Sequence, residues 1–386
     1  MPIRKLPSEH SKADVGSFIG SIGHIFYDPT FGSLKLSDGI TPGGITITPP
    51  AALNTADNTW YVDTSRTDIN PAVSTGSFSN PFLTITAALE YIEAKIADGS
   101  LSNFDETSSI VINPQFIVLT SSTVEDITLT RGHIYIIGNT PNSGHIPIWI
   151  QGHVTITPQA STGNAKAAND FGLFHVAVLP SGANHGITIT GSNPSQIYLQ
   201  DVYVYQDNST KSCVYANNTG TGTTIELSGC RMGRSSGSTF LIDIQRGHCK
   251  INDLETNGIG QALNFANDST GTLLYSTVDA NIGAVITLSG SAAFGMGNCI
   301  LNNTSATGNS YGINMSGTAG IQFGTCTFNI PSATGPGDIR VSNRAINGGS
   351  GNYVIFTGVV FQYGTNNQIS TEINTAALTT SFINPP

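Results

Sequence analysis

A nine-residue pattern recurs seven times between Ser195 and Tyr363. Its copies are IYLQDVYVY from Ile197, IELSGCRMG from Ile225, CKINDLETN from Cys249, LLYSTVDAN from Leu273, FGMGNCILN from Phe294, IQFGTCTFN from Ile321 and VIFTGVVFQ from Val354. Positions 1, 3 and 6 are apolar or aromatic in every copy. Position 8 is apolar in all but one, where it is Thr256. Alternation with a period of two marks a strand with one face inward, and the phase change between positions 3 and 6 marks a two-residue bend. Turn-forming pairs fill that bend, such as Gln200-Asp201, Ser228-Gly229, Asn252-Asp253 and, in the fourth copy, Ser276-Thr277. Position 9 holds Asn257, Asn281, Asn302 and Asn329 in consecutive copies, and stacked amides can bond up such a column. A third apolar segment lies between copies: FLIDI from Phe240, ALNF from Ala262, AVITL from Ala284, YGINM from Tyr311 and DIRV from Asp338. Three short strands per repeat of roughly 21 to 33 residues, with no helix, define a solenoid. The expected fold is all-β: a right-handed single-stranded parallel β-helix whose turns pair at about 4.8 Å.

Composition narrows the class. Charged residues are only 10% of 386, and the net charge is −10. That charge sits mainly in residues 1–194, with 15 acids against 8 bases, which disfavours nucleic acid as a partner. No apolar run reaches the length of a membrane span, and the first residues carry no apolar signal region, so neither membrane insertion nor a secretory leader is expected. Cys213, Cys230, Cys249, Cys299 and Cys326 fall at inward strand positions and read as small core residues rather than disulfides or metal ligands.

In chain order, residues 1–50 read as an attachment arm and a hairpin, HIFYD and SLKLSDG around Pro29-Thr30-Phe31-Gly32. Residues 51–108 hold a linker, a first strand and a helix with Thr84 as its cap, Ile85, Ala88, Leu89, Ile92 and Ile96 on one face, and Gly99 at its end. Residues 109–363 form the coil, and 364–386 a tail with no further rung. The stretch with Gly23, Ile25, Tyr27, Asp28, Gly32, Leu34 and the run SDGITPGG from Ser37 resembles a short module near the N-termini of virion proteins of tailed bacteriophages, particularly those of cyanobacteria. Tyr61-Val62-Asp63, Gly76, Asn80-Pro81-Phe82, Thr84-Ile85 and Ala88-Leu89 resemble the start of pectin-lyase-like β-helix proteins, in which one helix caps the coil. These resemblances imply a tail fibre, tailspike or similar virion appendage, assembled in the host bacterial cytoplasm. They also imply a homotrimer burying Ile300 and Val360, contact with other virion proteins through residues 1–50, and a host surface glycan as ligand.

The outward positions carry the candidate chemistry. Position 7 holds Tyr203, Arg231, Glu255 and Asp279 in successive copies. Glu255 and Asp279 would then lie about 4.8 Å apart, close enough to raise one pKa for glycoside hydrolysis. Asp201 and Asp253 share the bend column two turns apart. Arg231 can instead pair with Glu255, and Glu226 with Lys250. No cofactor motif or metal-ligand cluster is present, and the Gly-His pairs at His133, His145, His153 and His248 read as turns. Loops rich in Ser, Thr, Asn and Gly, with Tyr203, Tyr205, Tyr311, Tyr353 and Tyr363 as stacking faces, suit binding. The expectation is a structural and attachment protein, with a polysaccharide depolymerase or a capsid or neck decoration protein as alternatives.

Overall fold

The computed structural model describes residues 25–28, 33–37, 39–42, 45–46, 58–102, 104–105, 110–111, 113–139, 148–160, 168–257, 259–304, 311–323, 326–329, 346–347, 353–356 and 379–382. The chain divides into two compact units, Met1–Asp57 and Asn58–Pro386. In the first, Ile25–Asp28 pairs antiparallel with Ser33–Leu36, as the hairpin reading requires, and Ile45–Thr46 adds a third strand.

The second unit is a β-solenoid of three parallel sheets. Sheet one has twelve strands, from Thr59–Val62 to Thr379–Phe382. Sheet two has eight, from Ile148–Ile150 to Cys326–Asn329. Sheet three has nine, from Ile127–Leu129 to Ile346–Asn347. From Ile134–Gly138 to Ile346–Asn347 the turns visit them in that order, for example Gln196–Gln200, Tyr203–Gln206 and Val214–Asn218. Every second side chain points inward. Ile197, Leu199, Val202 and Val204 of one turn are at most 1% exposed, and all five cysteines are buried thiols.

A left-handed residue makes the corner between sheets one and two. His175, Asp201, Gly229, Asp253, Tyr275 and Asn298 occupy this place on successive turns, with φ between 50° and 63°. Asp, Asn and Gly tolerate that region better than other residues, which explains their frequency here. The ladder continues through the corner. Asp201 N–H donates to Ser228 O at 2.8 Å, Gly229 to Asn252 O at 3.1 Å and Asp253 to Leu274 O at 3.1 Å.

This column corrects the register of the fourth copy, which starts at Gly271 and not at Leu273. Cys249 pairs with Gly271, and Gly271 with Phe294. Gly271 takes an inward place because the Phe265 and Phe294 rings, 4.6 Å apart, fill the space its side chain would need. A β-carbon there would sit 2.4 Å from Phe265 Cε1. Position 6 is the buried Ser276, whose Oγ donates to Leu274 O and accepts from Leu254 N. The bend is therefore Leu274-Tyr275, and position 9 holds Asp279 in place of Asn281. Asn302 Nδ2 donates to Asp279 Oδ1 at 2.6 Å, whereas Asn257 Nδ2 donates to Arg234 O and Asn281 Oδ1 accepts from Gly260 N. The side chain of Asn329 lies outside the description.

Helix α1, Ile85–Ala97, has the expected cap. Thr84 Oγ1 accepts from Ala87 N at 3.0 Å, and Gly99 has φ +77° at the far end. Ile85, Ala88, Leu89 and Ile92 join the core with Trp60, Val62 and Phe82, which closes the coil at its first turn. One expectation fails at the other end. Thr379–Phe382 adds a strand beyond Tyr363, paired parallel with Tyr353–Phe356. It is a single short strand, TTSF, so a pattern of two strands around a bend could not detect it. The DIRV segment and Val360 lie outside the described residues.

Candidate ligand groove on sheet two

The outward face of sheet two is built from two parallel rows. The first runs Trp149, Ala177, Tyr203, Arg231, Glu255, Thr277 and Ile300. The second, two residues further along each strand, includes Tyr205 beside Gly233, and Asp279 beside Asn302. Small residues shape the first row. Trp149 and Tyr203 are two rungs apart, about 9.6 Å at the strand spacing. Their rings nevertheless meet edge to face at 5.7 Å, because only the buried Ala177 lies between them. Tyr205 continues the aromatic run at 6.4 Å from Tyr203. Gly233 lets these rings lie close: a β-carbon there would be 3.0 Å from Tyr205 Cδ2 and 3.4 Å from the Tyr203 hydroxyl.

Beside the rings lies a groove of about 750 Å³ lined by Trp149, Tyr203, Arg231, Asn257 and the carboxylates of Asp201, Asp253 and Glu255. Arg231 Nε lies 3.1 Å from Glu255 Oε2, and both side chains are well exposed. Such a pair contributes about 0–1 kcal/mol to stability, so its placement matters more for a ligand than for the fold. Asp201 Oδ2 lies 3.1 Å from His175 Nδ1. Its Oδ1 leans over Gly229, 2.4 Å from where a β-carbon would be. Partial burial raises the Tyr203 hydroxyl above the usual phenol range, with Tyr205 adding to the effect. The phenol therefore stays protonated and can donate to a ligand.

The candidate catalytic residues need correcting in one respect. Glu255 stands opposite Thr277, not Asp279. Asp279 is two residues further along, so the two backbones are about 8 Å apart on a diagonal, from the strand spacing and rise. Glu255 is engaged by Arg231, and Asp279 by Asn302 Nδ2. The stacked contact expected between them is absent. Asp201 and Asp253 both line the groove, two turns apart with Gly229 between them. Among the described residues, no three of His, Cys, Asp and Glu gather as a metal site.

Sequence reasoning missed Trp149. It lies in an earlier, irregular turn outside the seven aligned copies. The alternation in IPIWIQ places it outward, but its approach to Tyr203 depends on Ala177 on the rung between them. Comparison with known protein families, curated proteins and solved structures found no match. Fold and groove define a class: a parallel β-solenoid with an aromatic and carboxylate-lined lateral face.

Proposed function

We propose that this protein is a bacteriophage virion appendage, a tail fibre or spike, that displays its β-helix for attachment to a host surface glycan. The observation that carries this reading is the Trp149–Tyr203–Tyr205 run beside Arg231, Asn257 and three carboxylates. Sugar rings stack on aromatic faces through their C–H surfaces, while their hydroxyl groups need donors and acceptors at the rim. The rigid parallel stack holds these groups at a fixed spacing along its length. Residues 1–50 attach the coil to other virion proteins, and assembly takes place in the host bacterial cytoplasm.

Three copies associate through the coil. Leu274, Tyr275 and Ile300 support this: they are 41%, 63% and 40% exposed on adjacent rungs around one corner. An apolar patch of that kind on a protein this polar suits a protein interface. The deciding experiment is binding of the full chain to polysaccharide extracted from the host surface. Loss of binding in Trp149→Ala, with an unchanged melting temperature, supports the reading. Undiminished binding in that variant, or no binding by the unaltered protein, overturns it.

A further inference from the structure

The groove on sheet two is acidic. Asp201, Asp253 and Glu255 line it, and among the described lining residues Arg231 is the one cation. Arg231 Nε is already held by Glu255 Oε2 at 3.1 Å, which cancels one charge of each sign and leaves two carboxylates in excess. The Asn257 amide is occupied as well: Nδ2 donates to Arg234 O at 2.7 Å and Oδ1 accepts from Ile259 N. A ligand carboxylate or sulfate would therefore meet a paired guanidinium and two like charges. A ligand cation would meet the reverse.

The two remaining carboxylates face a common gap. Asp201 and Asp253 are left-handed corner residues two rungs apart, with φ of 51° and 55°, and Gly229 is the corner residue between them. Having no side chain, Gly229 leaves the space over its own rung open. Asp201 leans into that space. Its Oδ1 lies 2.4 Å from where a Gly229 β-carbon would stand, while its other oxygen, Oδ2, is taken by His175 Nδ1 at 3.1 Å. Asp253 is one rung, about 4.8 Å, beyond Gly229, and among the described residues nothing donates to its carboxylate. Charge-assisted N–H···O bonds of about 2.7–2.9 Å suit such a gap, so one nitrogen can bridge Asp201 and Asp253. An ammonium has three donors and no acceptor, as two facing carboxylates require. Trp149 and Tyr203 line the same groove, and aromatic faces also attract cations.

Resting on the glycan-binding reading above, we propose that the groove selects glycans bearing protonated amino groups, such as sugars with a free amine in place of one hydroxyl. The ammonium is held between Asp201 Oδ1 and Asp253 over Gly229, and the sugar ring lies on Trp149 and Tyr203. Neutral glycans bind through the rings alone, and uronic or sulfated glycans are repelled. Charge sets which surfaces are accepted, and the aromatic run supplies the contact common to all sugars.

The test is isothermal titration of the full chain with oligomers of glucosamine, N-acetylglucosamine and glucuronic acid, all with the linkage of cellulose, at about pH 6, where free amino groups carry a proton. The three probes share ring and linkage and differ in charge. The expected order of affinity is glucosamine, then N-acetylglucosamine, then glucuronic acid, with roughly tenfold between the first two. Asp201→Asn and Asp253→Asn should each remove most of that preference and leave N-acetylglucosamine binding as it was. Asp268→Asn, which deletes the same charge outside the groove, should keep the preference and so excludes attraction to the acidic protein at large. No binding of the glucosamine oligomer, equal affinity for it and its acetylated form, tighter binding of glucuronic acid, or a preference that survives both groove variants would overturn the proposal. The attachment reading is scored apart, on extracted host polysaccharide whose amino groups are capped with acetic anhydride. Binding that depends on Trp149 yet is indifferent to acetylation keeps attachment and removes charge selection. No binding by the untreated polysaccharide removes attachment itself.

Discussion

Single residues decide where the coil turns. At the sheet-one corner the backbone must enter the left-handed region once per turn, which costs an ordinary side chain about 1–2 kcal/mol. Tyr275 bears that cost in the open, with its side chain largely exposed. Tyr275→Asn should therefore stabilise the fold by about 0.5–1 kcal/mol in chemical denaturation. Gly229→Ala should do the reverse by about 1–3 kcal/mol, through its φ of +63° and the Asp201 carboxylate over it. Asp201→Gly in the same chain should recover part of that loss, since it removes the obstructing oxygen. Asp170 makes a prediction about pH. Burial lifts its folded value to about 6, above the ordinary 3.8, so its contribution to stability is complete below about 3.8 and is lost as pH rises to 6. Thermal melts of Asp170→Asn should lack that decline and exceed the unaltered protein at pH 7. His185 acts oppositely. Burial, aided by Lys211 and Arg234, lowers it to about 4 from 6.5, and its ring stacks on Tyr215 while Nδ1 accepts from Ser212 N. Its contribution is complete above 6.5 and fades as pH falls to 4.

At the scale of elements, helix α1 shows how local and distant signals combine. Thr84, the apolar face and Gly99 are all within one short stretch, and each proves to do what its residue type suggests. Glu125 could not be read this way. It lies forty residues on, yet its carboxylate accepts from Ile85 N at 2.7 Å and Thr86 N at 2.9 Å. The helix start is therefore held by two caps, one of them an anion at the positive end of the helix dipole. Thr84→Ala should cost about 1 kcal/mol, and Glu125→Ala more, because two amides and the Thr86 hydroxyl lose a charged acceptor. Trp60 fluorescence reports on both, since its ring packs edge-on against Tyr91 of the helix at 5.2 Å. No loss in Glu125→Ala would show that Glu125 adds nothing beyond the Thr84 cap.

For the whole molecule the relevant physics is that of a one-dimensional stack. Each turn touches its two neighbours, so damage at one rung should spread little along the coil. Gly271→Val, which drives a side chain into Phe265 and Phe294, should cost about 1–3 kcal/mol. It should raise hydrogen exchange in the turns on either side of residue 271, Glu255 and Asn257 included, while leaving the amides around Trp149 and Tyr203 protected. Assembly tests the corner patch. Ile300→Asp should shift the light-scattering mass toward the monomer without changing far-ultraviolet circular dichroism, because the residue lies outside the core. An unchanged mass would remove Ile300 from any interface.

Alternation along a strand is a local property, so outside the fourth copy the chain's own residues show which side chains point in and which point out. The sequence by itself therefore yielded the three-sheet coil, the buried cysteines, the exposed Arg231–Glu255 and Glu226–Lys250 pairs and the capping helix. Which rung faces which was a different matter. A slip of two residues moves the bend, so a fourth copy starting at Leu273 turns Tyr275 inward and puts Ser276 in the bend, whereas Tyr275 is exposed and Ser276 buried. Apolar patterning favours the Leu273 register, because Gly271 and Ser276 are not apolar. The choice fell to packing between separate sheets, where two phenylalanine rings occupy the place of a missing side chain. Glu255 came to face Thr277 for that reason. The Trp149–Tyr203 contact across Ala177 and the lean of Asp201 over Gly229 toward Asp253 have the same origin: each depends on a small residue on the intervening rung, and the stack alone brings those rungs together.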